Sequence, residues 1–191
     1  RQNLTFSLLL RPEHIPANRQ FLLSEIVSLA TVDVLNRYAT GFSIKWPNDI
    51  YWHDKKIAGI LIENVLSGST FSRAIIGMGL NINQKNFYSD APNPISLYQI
   101  TGRTYKIEKI LDEFTEAFGK RYTDTFTNSS DRIHKEYIAT LYRNDGVYPF
   151  YSDGNIFHAS IADVELDGHL LLSTESGEKK RFAFKEVSFL L

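Results

Sequence analysis

The 191-residue sequence contains no cysteine. Disulfide bridges, thiol nucleophiles and thiolate metal sites are therefore excluded, and this composition is compatible with the reducing cytoplasm, where we expect the protein to reside. The sequence also contains no apolar run long enough to span a bilayer, so we expect no membrane association.

The chain has no strong charge of either sign, because 21 lysines and arginines nearly balance 22 aspartates and glutamates. No field of the whole chain would attract nucleic acid, and no helix-turn-helix region is visible, so we expect no nucleic-acid partner. An anionic ligand would have to be bound by a local cluster of cations.

Several sequence signatures of catalysis are missing as well. There is no phosphate-binding G-x-x-x-x-G-K-[S/T] loop, no complete dinucleotide fingerprint, no H-E-x-x-H and no G-x-S-x-G. The five histidines, at positions 14, 53, 134, 158 and 169, show no ligand spacing. We therefore predict no metal site in the protein.

Hydrophobic residues make up 43% of the chain and aromatic residues 13%, enough to build a core. Apolar spacing predicts helices over residues 18–38, 107–126 and 131–142, and strands over 3–10, 42–46, 50–52, 57–63 and 71–83. After residue 146, short strands alternate with Asp-Gly and Ser-Gly turns, which predicts a small β-barrel or sandwich. The predicted domains are residues 1–144 and 145–191.

Two cations and a carboxylate surround the turn of the segment K-W-P-N-D. Lys45 and Asp49 flank this turn, and Lys56 precedes an apolar strand. Because binding residues concentrate on loops that a rigid scaffold holds, this cluster indicates a site for an anionic ligand. The alternative is a charged hairpin in which Asp49 forms a structural ion pair with a lysine.

A second feature is the strand over residues 75–83. Alternation puts Gly77, Gly79, Asn81 and Asn83 on one face, where bare backbone would admit a flat ligand and the two carboxamides would bind its polar edge. Gly59, in the preceding apolar strand, has no Cβ either and would also admit a ligand ring. The alternative is that a helix packs tightly on the glycines.

A carboxylate ligand together with a phosphate ligand indicates adenylate formation, in which two anions that repel each other must come within bonding distance. Lys45 and Lys56 would screen that repulsion and stabilise charge on the α-phosphate. Asp49 would accept the proton of an amine in a later transfer, or would orient Lys45.

Three segments in order resemble the biotin protein ligase family over nearly the whole chain. They are N-L-T-F-S-L-L-L-R-P at residues 3–12, K-W-P-N-D followed by K-I-A-G-I-L-I-E at residues 45–63, and I-G-M-G-L-N-I-N at residues 76–83. The resemblance implies a mixed sheet flanked by helices, related to class II aminoacyl-tRNA synthetases, with a C-terminal barrel of the Src-homology type. This is an α/β (α+β) fold.

The resemblance also implies the chemistry and the site residues. Such an enzyme activates biotin with ATP and Mg²⁺ and then transfers biotin to a lysine of a biotin carboxyl carrier domain. The implied catalytic residues are Lys56, Asp49 and Lys45. The implied biotin site is formed by Lys56, Gly59, Gly77 and Gly79, and the implied nucleotide site by Asn48, Trp46, Asn81 and Asn83.

Family members also carry an upstream Ser/Thr-Asn biotin contact and a Gly-Arg-Gly-x-x-Gly loop, and neither occurs in this sequence. We expect these residues to be either the ordered part of a longer protein, which the start at Arg1 rather than Met favours, or a truncated and inactive protein. The alternative functions are a lipoate or octanoate transferase and a non-catalytic biotin or adenylate sensor, which would form a homodimer through a sheet edge near residues 62–71.

Overall fold

A computed structural model describes residues 2–68, 70–88, 93–127 and 130–190. Within these ranges the fold is mixed α/β, with two antiparallel five-stranded sheets flanked by helices. The helices are α1 (Leu22–Leu35), α2 (Leu97–Thr101), α3 (Ile107–Asp124) and α4 (Ser130–Thr140). The strands are β1 (Leu4–Leu10), β2 (Phe42–Lys45), β3 (Asp49–Trp52), β4 (Lys55–Ser67), β5 (Thr70–Leu80), β6 (Tyr148–Ser152), β7 (Asn155–Val164), β8 (Leu170–Thr174), β9 (Lys179–Phe182) and β10 (Ser188–Phe189).

The first sheet has the strand order β1-β5-β4-β3-β2. All its strand pairs are antiparallel, so the expectation of a mixed sheet is wrong for the part of the chain described. The physical reason is the short connections: strands β2 to β5 follow one another through tight turns, which join antiparallel neighbours only. Two isolated parallel bridges, Ile44 with Leu141 and Lys56 with Pro94, are not part of a strand pair.

Helix α1 forms the centre of the core. It is apolar around nearly its whole circumference, as expected of a helix covered on all sides, and it packs against the first sheet, α3 and α4. Three polar side chains on α1 are also buried, namely Glu25, Ser28 and Thr31. Helix α1 covers one face of the first sheet, and on the opposite face the middle of β4 is exposed, with Leu61 61% accessible to solvent.

The predicted helices and strands are present in the structure, and the largest errors concern the residues at which they begin and end. Helix α1 is shorter than predicted, because the chain forms a separate 3-10 turn at Ala17–Arg19. Strand β5 ends at Leu80, three residues earlier than predicted. The region between Asn83 and Gly102, for which no helix was predicted, contains α2, whose first turn is capped by the Ser96 hydroxyl.

The second sheet has the order β10-β6-β7-β8-β9, all antiparallel. The predicted turn at Asp153 and Gly154 joins β6 to β7, and both residues have positive φ (50° and 82°), as a tight two-residue hairpin turn requires. This sheet contacts the rest of the protein directly, since the Trp46 indole donates to the Gly168 carbonyl at 2.9 Å. None of the described helices is long and apolar enough to cross a membrane.

Candidate functional site

One row of residues crosses the open face of the first sheet. Lys45 pairs with Asp49, Asp49 with Gly59, Gly59 with Gly79, and Gly79 with Thr5. Residues that pair directly across neighbouring strands point to the same face. The register therefore places a cation, a carboxylate and two positions without a side chain next to one another, each about 4.8 Å from the next.

The glycines leave the backbone of this face uncovered. A Cβ added at Gly79 would meet no atom within 4 Å, and one added at Gly77 would meet only Leu61, at 3.7 Å from its carbonyl oxygen. Within the described residues no helix packs on these positions, so the alternative explanation by helix packing is wrong. The space is available to a flat ligand.

Lys56 reaches this face because of a β-bulge. Ile50 pairs with Ala58, but the next residue, Tyr51, pairs with Lys56, so β4 carries one extra residue at this point. In a regular strand Lys56 and Gly59, three positions apart, would point to opposite faces. The bulge re-aims the side chain, and the Lys56 Nζ lies 3.4 Å from the Cβ position of Gly59.

Asp49 and Lys56 form an ion pair, with 2.5 Å between Oδ1 and Nζ. The side chains of Lys56 and Asp49 are 37% and 21% exposed, so solvent or a ligand still reaches the ammonium group. The structural ion pair considered as an alternative is therefore present, and it lies inside the glycine-lined face. The predicted anion site and the structural ion pair therefore involve the same residues.

Beside this ion pair is a cavity of about 270 Å³. Its floor includes Gly59 and Gly79, and Lys56 and Asn81 also line it. The remaining lining residues are Asn3, Thr5, Ile57, Ala58, Leu80, Gln84, Phe87 and Pro94. The structure thus brings together four of the predicted site residues around one space.

Asn81 and Asn83 differ in their positions. Both lie beyond the end of β5 at Leu80, although the backbone N–H of Asn81 still donates to the Ile57 carbonyl at 2.9 Å. The Asn81 amide donates to the Ile95 carbonyl at 3.1 Å and lines the cavity. Asn83 instead exchanges two hydrogen bonds of 2.8 Å with the backbone of Tyr105, which ties two loops together.

Trp46 and Asn48 face a different cavity, of about 260 Å³, between α1 and the second sheet. Trp46 is 4% exposed, and the Asn48 amide donates to the Ile60 carbonyl at 2.8 Å. Both side chains therefore support the fold. The structure does not bring them together with the Lys56 cavity, and their nucleotide-binding role stays a prediction.

Lys45 is enclosed by aromatic rings. Its Nζ donates to the Tyr51 hydroxyl at 3.1 Å and lies 4.8 Å from the Tyr51 ring centroid and 5.5 Å from that of Phe189. Burial lowers the pKa of Lys45, Asp49 opposes this, and the charges of Lys56 and Arg143 lower it further. Burial also raises the pKa of Tyr51 to about 12, so its hydroxyl stays neutral. No sequence pattern indicated Tyr51 or Phe189, because their contacts with Lys45 depend on the folded chain.

One group of carboxylates and a histidine among the described residues is close enough to hold a metal ion. Glu165, Asp167 and His169 place one ligand atom each within 4.8 Å of one another at the turn between β7 and β8. Arg181 donates to Glu165 at 2.5 Å and to Asp167 at 2.6 Å, and so supplies the positive charge that the carboxylates need. The absence of a metal site stays a prediction.

Residues 1–81 match the model of the "Biotin/lipoate A/B protein ligase family". Among curated proteins, the chain is 31% identical over 185 residues to the "Bifunctional ligase/repressor BirA" of Bacillus subtilis, a match that covers 93% of the chain and 55% of that protein. It is 30% identical over 148 residues to the "Biotin--[acetyl-CoA-carboxylase] ligase" of Paracoccus denitrificans, covering 74% of the chain and 61% of that protein. The chain thus spans little more than half the length of these relatives.

Solved structures show the same fold. The biotin protein ligase from Aquifex aeolicus superposes with a TM-score of 0.79 at 23% identity, covering 100% of this chain and 82% of that one. The structure of that protein in complex with biotin and ATP gives a TM-score of 0.78 at 24% identity, covering 98% and 78%. At this identity the likeness concerns the fold alone.

Proposed function

This chain belongs to the biotin/lipoate A/B protein ligase family, and from that premise we propose that it activates biotin with ATP and transfers biotin to a lysine of a biotin carboxyl carrier domain. The observation that carries the proposal is the open glycine face with Lys56 at its edge. The ring system of biotin would lie on Gly59, Gly77 and Gly79, and its carboxylate would point to Lys56.

The charges on this face fit both steps of the reaction. First, a carboxylate oxygen of biotin attacks the α-phosphorus of ATP, and the bond to diphosphate breaks; Lys56 and Lys45 offset the repulsion between the two anions, and Mg²⁺ enters with ATP. Then the carrier amine attacks the adenylate carbonyl, and AMP leaves. Asp49, beside Lys56, accepts the proton that the amine loses.

The test is biotin transfer by the whole chain. Incubation with biotin, Mg·ATP and a carrier domain should label the carrier, and Lys56→Ala should reduce the labelling rate about 100-fold, the scale of one lost charge-stabilising donor. Lys55→Ala is a matched control, because Lys55 is exposed on the same strand and does not line the cavity. If the unmodified chain labels no carrier, the proposed activity is refuted.

Two alternatives give different results in the same assay. The family description includes lipoate ligases, so competition by lipoate would reveal a lipoate or octanoate transferase. Biotin binding seen by calorimetry, with no adenylate formed, would indicate a biotin sensor. The name of the Paracoccus denitrificans relative favours biotin over lipoate.

We also propose that β4 forms a homodimer edge. Strand β3 pairs with β4 no further than Gly59, and the backbone N–H of Ile60 donates to the Asn48 carbonyl at 2.8 Å. By alternation the N–H of Ile62 points to the same side, where the described residues provide no strand. Sedimentation velocity should show a dimer that Ile62→Pro weakens, because proline removes an edge donor without breaking the β4–β5 ladder.

The remaining expectations are proposals of the same kind. The division into a catalytic domain (1–144) and a small barrel (145–191), the relation to class II synthetases and the Src-homology type of the barrel follow from the family resemblance, and the two antiparallel sheets are compatible with them. A cytoplasmic location and the lack of a nucleic-acid partner also stay predictions. Four curated relatives carry "repressor" in their names, and DNA titration would test that role here.

A further inference from the structure

We propose that Phe189, in the last strand of the second sheet, positions the ammonium group of Lys45 on the open face of the first sheet. Under this proposal the second sheet contributes to the site and is more than a separate module. The inference rests on the proposed function, because Lys45 is one of the two lysines that would offset the repulsion between biotin and ATP.

The ammonium group lies between two aromatic rings. Its distances of 4.8 Å from the Tyr51 centroid and 5.5 Å from the Phe189 centroid both fall within the limit of about 6 Å for a cation–π interaction. The Tyr51 hydroxyl accepts a hydrogen bond from the same Nζ. One ring comes from the strand next to Lys45, and the other comes from the far end of the chain.

Phe189 is held in a fixed place. It pairs with Phe150 across β10 and β6, with ring centroids 4.9 Å apart, and is 9% exposed. The following residue, Leu190, donates to the Pro149 carbonyl and accepts from the Arg143 guanidinium at 2.5 Å. Because the ring cannot follow the lysine, it restricts where the lysine side chain lies.

A ring has an advantage over a carboxylate at this position. Asp49 already pairs with Lys56, and no carboxylate among the described residues forms an ion pair with Lys45. The face of a ring attracts a cation but carries no net charge. Lys45 is therefore held in place with its positive charge still available to an anionic ligand.

Other charged groups near Lys45 make such support necessary. Asp49 on β3 favours the ammonium form, whereas Lys56 on β4 and Arg143 before β6 repel it. Burial also disfavours the charged form. The two rings offset part of this cost without occupying the open face.

The test compares three variants of the whole chain. Phe189→Leu keeps an apolar side chain but removes the ring, and Phe189→Tyr keeps the ring. The matched control is Phe182→Leu, since Phe182 is also 9% exposed and stacks on Phe157 at 5.8 Å, but lies in β9 at the opposite edge of the same sheet. The measurements are kcat and KM for biotinyl-adenylate formation, the unfolding midpoint, and the NMR shifts of the Lys45 side chain.

We expect Phe189→Leu to lower kcat about five- to tenfold, the scale of one partly desolvated cation–π contact. It should also remove part of the upfield ring-current shift of the Lys45 ε-protons. Phe189→Tyr and Phe182→Leu should keep both near the unmodified values. Equal losses of kcat in Phe189→Leu and Phe182→Leu would mean general weakening of the sheet, and would overturn the proposal.

The two failures are distinguishable. If the unmodified chain forms no adenylate, the proposed function fails. If the chain is active but the Lys45 resonances do not respond to Phe189→Leu, the positioning by Phe189 is refuted while the function stands.

Discussion

The two sheets have the same number of strands and the same antiparallel pairing, but they differ in what they place on one face. The first sheet leaves Gly79 uncovered, since an added Cβ would meet no atom within 4 Å, and at Gly59 the end of the Lys56 side chain is the nearest group, at 3.4 Å. In the second, Phe150, Phe157 and Phe182 stack in series at 6.0 and 5.8 Å. The first sheet gains its stability from the opposite face, under α1, and leaves this face for a ligand. The second sheet uses its aromatic rings to hold itself together.

The largest expected effect is on the stability of the second sheet. Phe150 is fully buried between Phe157 and Phe189, so Phe150→Ala should lower the free energy of unfolding by about 3–5 kcal/mol. Urea denaturation measures the loss. Phe150→Leu, which leaves a smaller cavity, should lose less, and equal losses would contradict the assignment of this ring to the core.

On the first sheet the same kind of change should act on binding and not on stability. Gly79→Val places a side chain on the open face, and we expect about a 100-fold weaker affinity for biotin, close to 3 kcal/mol, with an unchanged unfolding midpoint. Isothermal titration calorimetry measures the affinity. Ser72→Val is the control, because Ser72 is exposed on the same strand, about 23 Å away. Normal biotin affinity in Gly79→Val would show that the glycine face is not the biotin site.

A smaller effect concerns the contact between the two regions. His134 on α4 bonds Glu25 on α1 at 2.7 Å and Asp163 on β7 at 2.8 Å. The bond to Glu25 is the main cause that raises the pKa of His134 to about 9, against the opposing effect of burial. Burial raises the pKa of Glu25 as well, and its hydrogen bond to His134 opposes that rise.

Because the folded-state pKa of His134 is above its model value of 6.5, its stabilisation is complete below pH 6.5 and is lost as the pH rises through about 9. We expect His134→Gln to lower the free energy of unfolding by roughly 1–2 kcal/mol at neutral pH, after allowance for solvent screening. The difference between the two proteins should vanish above about pH 10. A difference that does not change with pH would show that His134 acts by packing and not by charge.

The smallest effect is on a glycine outside both sheets. Gly119 lies inside α3, and a Cβ added there would meet no atom within 4 Å. Gly119→Ala should raise the free energy of unfolding by about 0.5–1 kcal/mol and leave biotin affinity unchanged. Thermal denaturation followed by circular dichroism checks the first expectation. Comparison of Gly119→Ala with Gly79→Val tests whether ligand binding depends on the sheet glycine and not on the helix glycine.

Local sequence patterns were sufficient to predict most of the helices and strands, including the hairpin turn at Asp153 and Gly154. They also singled out Lys56, Gly59 and Gly79, which the structure places around one cavity. They did not predict the hydrogen bonds of Trp46 and Asn83, because a motif shows which residues occur together and not what each side chain bonds. Trp46 donates to a carbonyl of the second sheet, and Asn83 bonds a neighbouring loop.

The sequence by itself determined the elements of this protein and the residue types of its K-W-P-N-D cluster, because apolar spacing and turn residues act over short distances along the chain. Only the tertiary structure decided which of them meet. The register aligned Lys45, Asp49, Gly59 and Gly79 in one row, and a bulge of one residue turned Lys56 to that face. Phe189 reached Lys45 from the far end of the chain, a contact that arises from packing and that no local pattern encodes.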